Sequence, residues 1–346
     1  MSMYLMLDPP FTPLDHKINY RDPVFLLGSC FTEHMGRHLK EMKFPVCQNP
    51  HGILFDPFSV TNSIISVIHN RKYGDEDLFY FNELWQSWQH HSLFSHTNKE
   101  KCLELINSTL EVAHQFLQKA RWVIITLGSS FSYRLSDSAP DSGRTEGLGP
   151  AREVANCHRA PTQWFQKSMM KVEETNAVLD NALHQLFQFN PGIQVIFTVS
   201  PVRHIRDGVI ENNRSKARLI EVVHNLAGKF QGIHYFPAYE LVIDVLRDYR
   251  FYDIDLVHPN YLATSFVLEQ FELNCVDDET RTLMEDLKKL NLAKRHRPLR
   301  PETSAHAQFL MQQAEKIARL KIKYPSLDLE EDLKLFQAFD PKPYSR

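Results

Sequence analysis

The chain has 346 residues, 43% hydrophobic and 23% charged, a length and balance that fit one large globular core with elaborations. Lys plus Arg number 39 against 42 for Asp plus Glu, a net of −3, so no bulk electrostatic attraction draws in nucleic acid or an anionic membrane. The five cysteines (Cys30, Cys47, Cys102, Cys157 and Cys275) are odd in number and lack C-x-x-C spacing, which argues against a disulfide framework or zinc knuckle and leaves them as expected buried thiols.

No stretch reaches the roughly 18 apolar residues of a membrane span. Met1–Pro10 has neither a basic leader nor a long apolar core, so a cytoplasmic protein is expected. The Asp22-Pro23 turn leads into a strand at Val24–Leu27, Thr32–Met42 reads as helix, and Phe44–Cys47 as a short second strand. In the loop Gln48–Pro57, the prolines and Gly52 forbid regular structure and leave a backbone N–H free for a ligand. Ser59–His69 reads as helix. Residues 74–97 form an aromatic insertion, with Phe79, Tyr80, Phe81, Trp85 and Trp88 ahead of His90 and His91. It reads as a small hairpin folded onto the body, or functionally as an aromatic wall over a pocket.

Apolar residues recur at helical spacing over Leu103–Lys119, and Arg121–Gly128 follows as a nearly uniform apolar strand, the mark of burial on both faces. A Gly, Ser and Pro-rich excursion spans 135–161, and Thr162–Phe189 reads as one long helix. Ile193–Ser200 is a second buried strand, Ser215–Lys229 a helix and Ile233–Phe236 a last strand. This alternation predicts an α/β fold, a three-layer α/β/α sandwich around a parallel sheet. Past Cys275 charged helices follow at Glu279–Leu292 and Thr303–Lys323, joined by a basic link, Lys294–Arg300. Residues 1–275 are therefore read as the main domain and 276–346 as a C-terminal helical extension.

Ser29 stands just past the first strand, where open α/β sheets place their ligands. A serine needs a base to take its proton, an orienting group for that base, and donors for the developing oxyanion. Asp255-Leu-Val-His258 offers an acid and an imidazole on one short loop after the last strand, with Pro259 stiffening it. The order Ser, Asp, His matches that of α/β-hydrolases, but their G-x-S-x-G elbow is absent. Cys30 is the competing nucleophile; adjacent side chains diverge, so it is expected to face the core if Ser29 faces the site. His34 and His38, four apart on a helix, and the adjacent His90 and His91 show no ligand spacing that calls for a metal. Nucleotide-binding glycine motifs are missing too, and no cofactor is expected.

The ordered set Gly28-Ser-Cys-Phe31, Asn49-Pro-His-Gly-Ile53, Trp88-Gln-His-His-Ser-Leu-Phe94, Thr126-Leu-Gly128, Asn156-Cys-His158, Ser200-Pro-Val-Arg203 and Asp255-Leu-Val-His-Pro259 resembles the GSCFA domain family, over roughly residues 15–275. That family is similar to the SGNH, or GDSL-like, esterases and lipases. The resemblance implies a flavodoxin-like SGNH sheet, Ser29 as nucleophile, and Asp255 with His258 completing a triad. It also implies oxyanion donors at the Ser29 and Gly52 N–H groups. The third SGNH donor, the asparagine of G-x-N-D, is replaced here by Gly128-Ser129-Ser130, and Asn156 is the nearest substitute. Trp88, His91 and His158 are candidate substrate contacts, and Arg203 is a candidate for holding a carboxylate or phosphate.

The expected function is a serine esterase or deacylase acting on a small-molecule O-acyl ester, an acetylated carbohydrate being preferred, with an acyl transferase using the same intermediate close to it. The alternative is a binding or scaffold protein with a disabled oxyanion site that works through its C-terminal helices.

Overall fold

The computed structural model describes residues 11–139 and 153–337 together with Leu7 and Pro9. Uniformly apolar β1 (Val24–Gly28) enters α1 (Cys30–Glu41), and β2 (Val46–Gln48) enters α2 (Pro57–Ile68), whose start is fixed by Pro57 and by Asp56 accepting the Ser59 N–H. The aromatic insertion forms a hairpin of β3 (Phe79–Phe81) and β4 (Leu84–Gln86), followed by α3 (Lys99–Lys119). β5 (Trp122–Leu127) continues into β6 (Phe131–Leu135), and after the excursion come β7 (Phe165–Met169) and α4 (Val172–Phe189). β8 (Gln194–Val199), α5 (Val209–Lys229), β9 (Ile233–Tyr235) and the short α6 (Ala238–Glu240) lead to α7 (Tyr261–Cys275). The chain closes with α8 (Asp278–Arg295), α9 (Ser304–Lys323) and α10 (Glu330–Gln337).

Five strands form one parallel sheet in the order β2-β1-β5-β8-β9, with Val24 opposite Trp122 and Gly28 opposite Thr126. Numbered within the sheet, that order is 2-1-3-4-5. The chain therefore leaves β1 toward one edge and later returns to the other side of it, and the crevice at this reversal opens at the carboxyl ends of β1 and β5. Alternate strand residues feed two cores: Phe25, Leu27, Ile125 and Phe197 pack against α2, α3, α4 and α5, while Val24, Leu26, Trp122 and Ile124 pack against α1 and α7. The sheet is thus covered on both faces.

One expectation changes. The helix read over Thr162–Phe189 begins only at Val172; Phe165–Met169 is strand β7, paired antiparallel with the unforeseen β6. Residues 140–152 of the excursion and 338–346 of the tail lie outside the described residues. The C-terminal helices pack on the body: Leu283, Met284, Leu287 and Leu290 of α8, with Ile317 of α9 and Phe336 of α10, join the cluster that holds Val24, Met35 and Leu39.

Candidate active site

Gly28 ends β1 with φ of 140°, and a Cβ there would lie 2.3 Å from the Thr126 carbonyl oxygen. Only glycine allows β1 to meet β5 so closely at its last residue. Ser29 then takes the N-cap position of α1, yet its side chain caps nothing, and its buried hydroxyl has no hydrogen-bond partner. An unpaired buried hydroxyl costs free energy, and a chemical role is one reason for a fold to leave it unspent. Cys30, expected to face the core, is instead part exposed, while Ser29 is 4% exposed. The reason is helical geometry: as the first helical residue, Cys30 falls on the outer stripe of α1 that continues through His34, while Phe31 and Met35 take the buried face. Burial still pushes the Cys30 thiol above its ordinary pKa, against the opposing pull of its own N–H, the Lys216 ammonium and the Phe31 N–H.

The other half of the constellation is preassembled. Asp255 Oδ2 accepts from His258 Nδ1 at 2.6 Å, and Oδ1 accepts the backbone N–H groups of Val257 and His258 at 2.9 and 3.0 Å. The histidine hydrogen bond and then these two N–H groups hold the carboxyl down at about 2. The carboxylate therefore fixes the ring tautomer, with Nδ1 carrying the proton and Nε2 left outside the pair. Leu256 between them has φ of 57°, a left-handed conformation that a leucine adopts only under tertiary constraint. Arg203 supplies that constraint: its N–H and guanidinium donate to the carbonyls of Val257 and Leu256, and its guanidinium lies 3.9 Å over the Tyr252 ring. It braces the histidine loop, where the sequence offered it as a ligand for a carboxylate or phosphate.

No hydrogen bond joins Ser29 to His258 in this structure. The two expected backbone oxyanion donors also have acceptors of their own: Ser29 N–H donates to the Thr126 carbonyl at 3.2 Å, and Gly52 N–H to the Asn49 carbonyl at 2.7 Å. Asn156 uses its Oδ1 to accept the His158 N–H, and its own N–H is held by the Trp88 carbonyl. The N–H groups of Cys30 and Phe31, the first two of α1, have no backbone acceptor among the described residues and turn toward the Cys30 sulfur. A helix N-terminus is electropositive, so these point positive charge at whatever occupies the corner.

A profile of the GSCFA family matches residues 23–271, from the start of β1 into α7. The chain belongs to the GSCFA family. A second profile, that of the GSCFA C-terminal domain, matches residues 287–340. No curated protein matches the chain.

Two residues that sequence reasoning missed stand behind this GSCFA site. Lys216 on α5 is fully buried, with its ammonium donating to the carbonyls of Gly128 and Ser200 at 2.5 and 2.6 Å, which ties the carboxyl ends of β5 and β8 together. Burial pulls its pKa down to about 7. The neighbouring Ser215 accepts the Ser130 N–H at 2.7 Å and so fixes the altered third motif. His204 packs on Phe55 at 5.2 Å, and burial holds it down at about 4, with the Lys216 and His258 charges adding to that shift. The signal for His204 lay in its place directly after Ser200–Arg203; nothing in the sequence distinguishes Lys216 from a surface lysine.

The aromatic insertion serves mainly as a small core of its own. Trp88 stacks flat on Phe79 at 3.6 Å, and His158 stands edge-on to both rings while its Nε2 bonds the Ser87 carbonyl at 2.8 Å. Both are buried within this small core. His91 is the exception: it is part exposed, packs so closely on Gly52 that a Cβ there would lie 2.2 Å from its own, and feels the charge of Glu33 on α1. Behind it His51 bonds Ser63 at 2.8 Å and stacks on His90 at 4.5 Å, anchoring the Gly52 loop. Among the described residues no group of His, Cys, Asp or Glu could hold a metal ion, and no helix is long and apolar enough to cross a membrane.

Proposed function

We propose that this GSCFA protein is a serine esterase or deacylase of the SGNH type, cleaving an O-acyl ester through an acyl-enzyme. The observation that carries the reading is the Asp255–His258 pair, locked at 2.6 Å on a strained loop at the same sheet edge as the unpartnered Ser29 hydroxyl. The 2-1-3-4-5 strand order supports a flavodoxin-like sheet, in which ligands bind at this reversal point. Ser29 Oγ attacks the acyl carbon as its proton passes to His258 Nε2. The N–H of Cys30, the residue after the nucleophile, and the N-terminus of α1 hold the tetrahedral oxyanion. Collapse breaks the carbon–oxygen bond, His258 returns the proton to the leaving alkoxide, and water repeats the sequence on the acyl-serine. Ser29 and His258 must close together on substrate, as apo catalytic contacts often do.

A second reading rests on one observation: Cys30 is the more exposed nucleophile at this corner, beside the same helix N-terminus and within the influence of the buried Lys216. Peptide mass spectrometry after an alkyl fluorophosphonate, and separately after iodoacetamide, tests both on native protein, Ser29→Ala, Cys30→Ala and His258→Ala. Phosphonylation at Ser29 that is lost in His258→Ala supports the serine. Fluorophosphonate-inert Ser29 together with His258-dependent alkylation of Cys30 moves the role to the thiol, and inertness of both in folded protein refutes the enzyme reading.

A further inference from the structure

Two helices leave the site from its two catalytic ends: α1 starts beside Ser29, and α7 starts three residues after His258. A cleft of about 490 Å³ lies between them, large enough for a small ligand. On α1 its wall runs through His34, Arg37 and Glu41; on α7 it runs through Tyr261, Ser265 and Glu269. Both walls follow helical spacing, which makes the cleft a trough. Tyr261, the first residue of α7 and three residues after His258, lines one end of the trough and sets that end beside the Asp255–His258 loop. Asn291 and Leu292 of α8 close the far side.

The lining selects a class of ligand. Glu272 is spent on His38 and Lys288 at 2.6 and 2.7 Å, and Glu41 faces Arg295 at 3.6 Å. Among the described residues Arg37 and Glu269 have neither ion pair nor hydrogen bond, so one planar donor and one planar acceptor of opposite charge are free in a trough without net charge. Tyr261, 82% exposed, offers a flat ring at the catalytic end. A free guanidinium, a free carboxylate and an exposed ring suit a neutral ligand rich in hydroxyls, whereas a polyanion would require surplus cations. We infer that this trough binds the neutral oligosaccharide portion of the substrate and that α8 of the C-terminal extension supplies its far wall. The inference rests on the esterase reading for the position of the reacting ester.

Two measurements separate the claims. Saturation-transfer NMR with xylotetraose, cellotetraose and chitotetraose needs no turnover: at least one should bind native protein, with binding lost in Tyr261→Ala and Arg37→Ala and retained in the distant control Ile322→Trp. Kinetics then compare acetylated xylo-oligosaccharides with p-nitrophenyl acetate. The ratio of the two kcat/KM values should fall at least tenfold in Tyr261→Ala and in Leu292→Trp, which obstructs the far wall. Absence of binding by all three sugars, or ratios within twofold of native in both variants, overturns the inference. Sugar binding without any p-nitrophenyl acetate turnover leaves the trough standing and overturns the esterase.

Discussion

Lys216 makes the stability of this protein depend on pH in a way that a single substitution exposes. Its ammonium is buried, with a pKa of about 7 against 10.5 for a free lysine. Between those values the unfolded chain binds more protons than the native state, so stability rises with pH. Linkage with these two pKa values gives a penalty of about 4 kcal/mol at pH 7 and about 2 kcal/mol at pH 9. Lys216→Met keeps the stem volume and abolishes the titration, but it leaves the Gly128 and Ser200 carbonyls without their donor, at about 1–3 kcal/mol each. That second cost does not vary with pH. Urea denaturation at half-unit steps from pH 7 to 9 should therefore show native protein gaining about 2 kcal/mol on the variant across the range. Parallel curves, or a gap that narrows with rising pH, would refute the assignment of a depressed pKa to a buried Lys216.

Other consequences are as specific. Asp255→Asn should lower kcat on p-nitrophenyl acetate by about 10⁴-fold with the near-UV circular dichroism unchanged, since it removes the group that fixes the histidine tautomer. Gly52→Ala places a Cβ against His91 at a position of φ 80°, and should lower the urea midpoint and shift the His91 NMR signals; an unchanged midpoint and spectrum would show the loop to be slack. Asp332, 4% exposed between Lys43 and Lys294 at 2.7 and 2.6 Å, holds α10 to the body. Asp332→Ala should cost about 1–3 kcal/mol at pH 7, since the two lysines it leaves unpaired are 27% and 30% exposed and keep access to water, read as a loss in urea unfolding free energy. Ending the chain at Cys275 strips one face of the sheet of six or more buried apolar side chains, worth about 1.5–3 kcal/mol each, against a net stability of about 5–15 kcal/mol. Such a fragment should bind hydrophobic dye and lose its near-UV signal, and cooperative unfolding of a soluble fragment would contradict that.

What the sequence makes legible follows physical type. β1, β5 and β8 announce themselves because a strand buried on both faces must be apolar at every position, and the main helices because their apolar residues recur every three or four. β7 was hidden because it is an edge partner of β6 with Gln166, Lys167 and Ser168 exposed, so it has no apolar signature and its polar texture merges with the helix after it. The charged composition of the tail likewise masks the stripe of Leu283, Leu287 and Leu290 that binds it to the core. At the site, motif order singles out Ser29, Asp255 and His258 as candidates, but it carries no information on the uses of backbone N–H groups, which depend on register and turn geometry. Thus the Ser29 and Gly52 N–H groups looked free and are not, and the exposed and buried members of Ser29-Cys30 are the reverse of the expected pair. The burial of Trp88 and His158 is not legible either, because aromatic and imidazole side chains serve surfaces and cores equally well.

The most direct test of the central claim is to trap the acyl-enzyme. Native protein mixed with p-nitrophenyl acetate and quenched in acid within one turnover should carry a single acetyl group, mapped by peptide mass spectrometry to Ser29. That group should be absent from Ser29→Ala and strongly reduced in His258→Ala. An acetyl group on Cys30 would transfer the reaction to the thiol. A burst-free, unacetylated and fully folded protein would contradict catalysis at this corner.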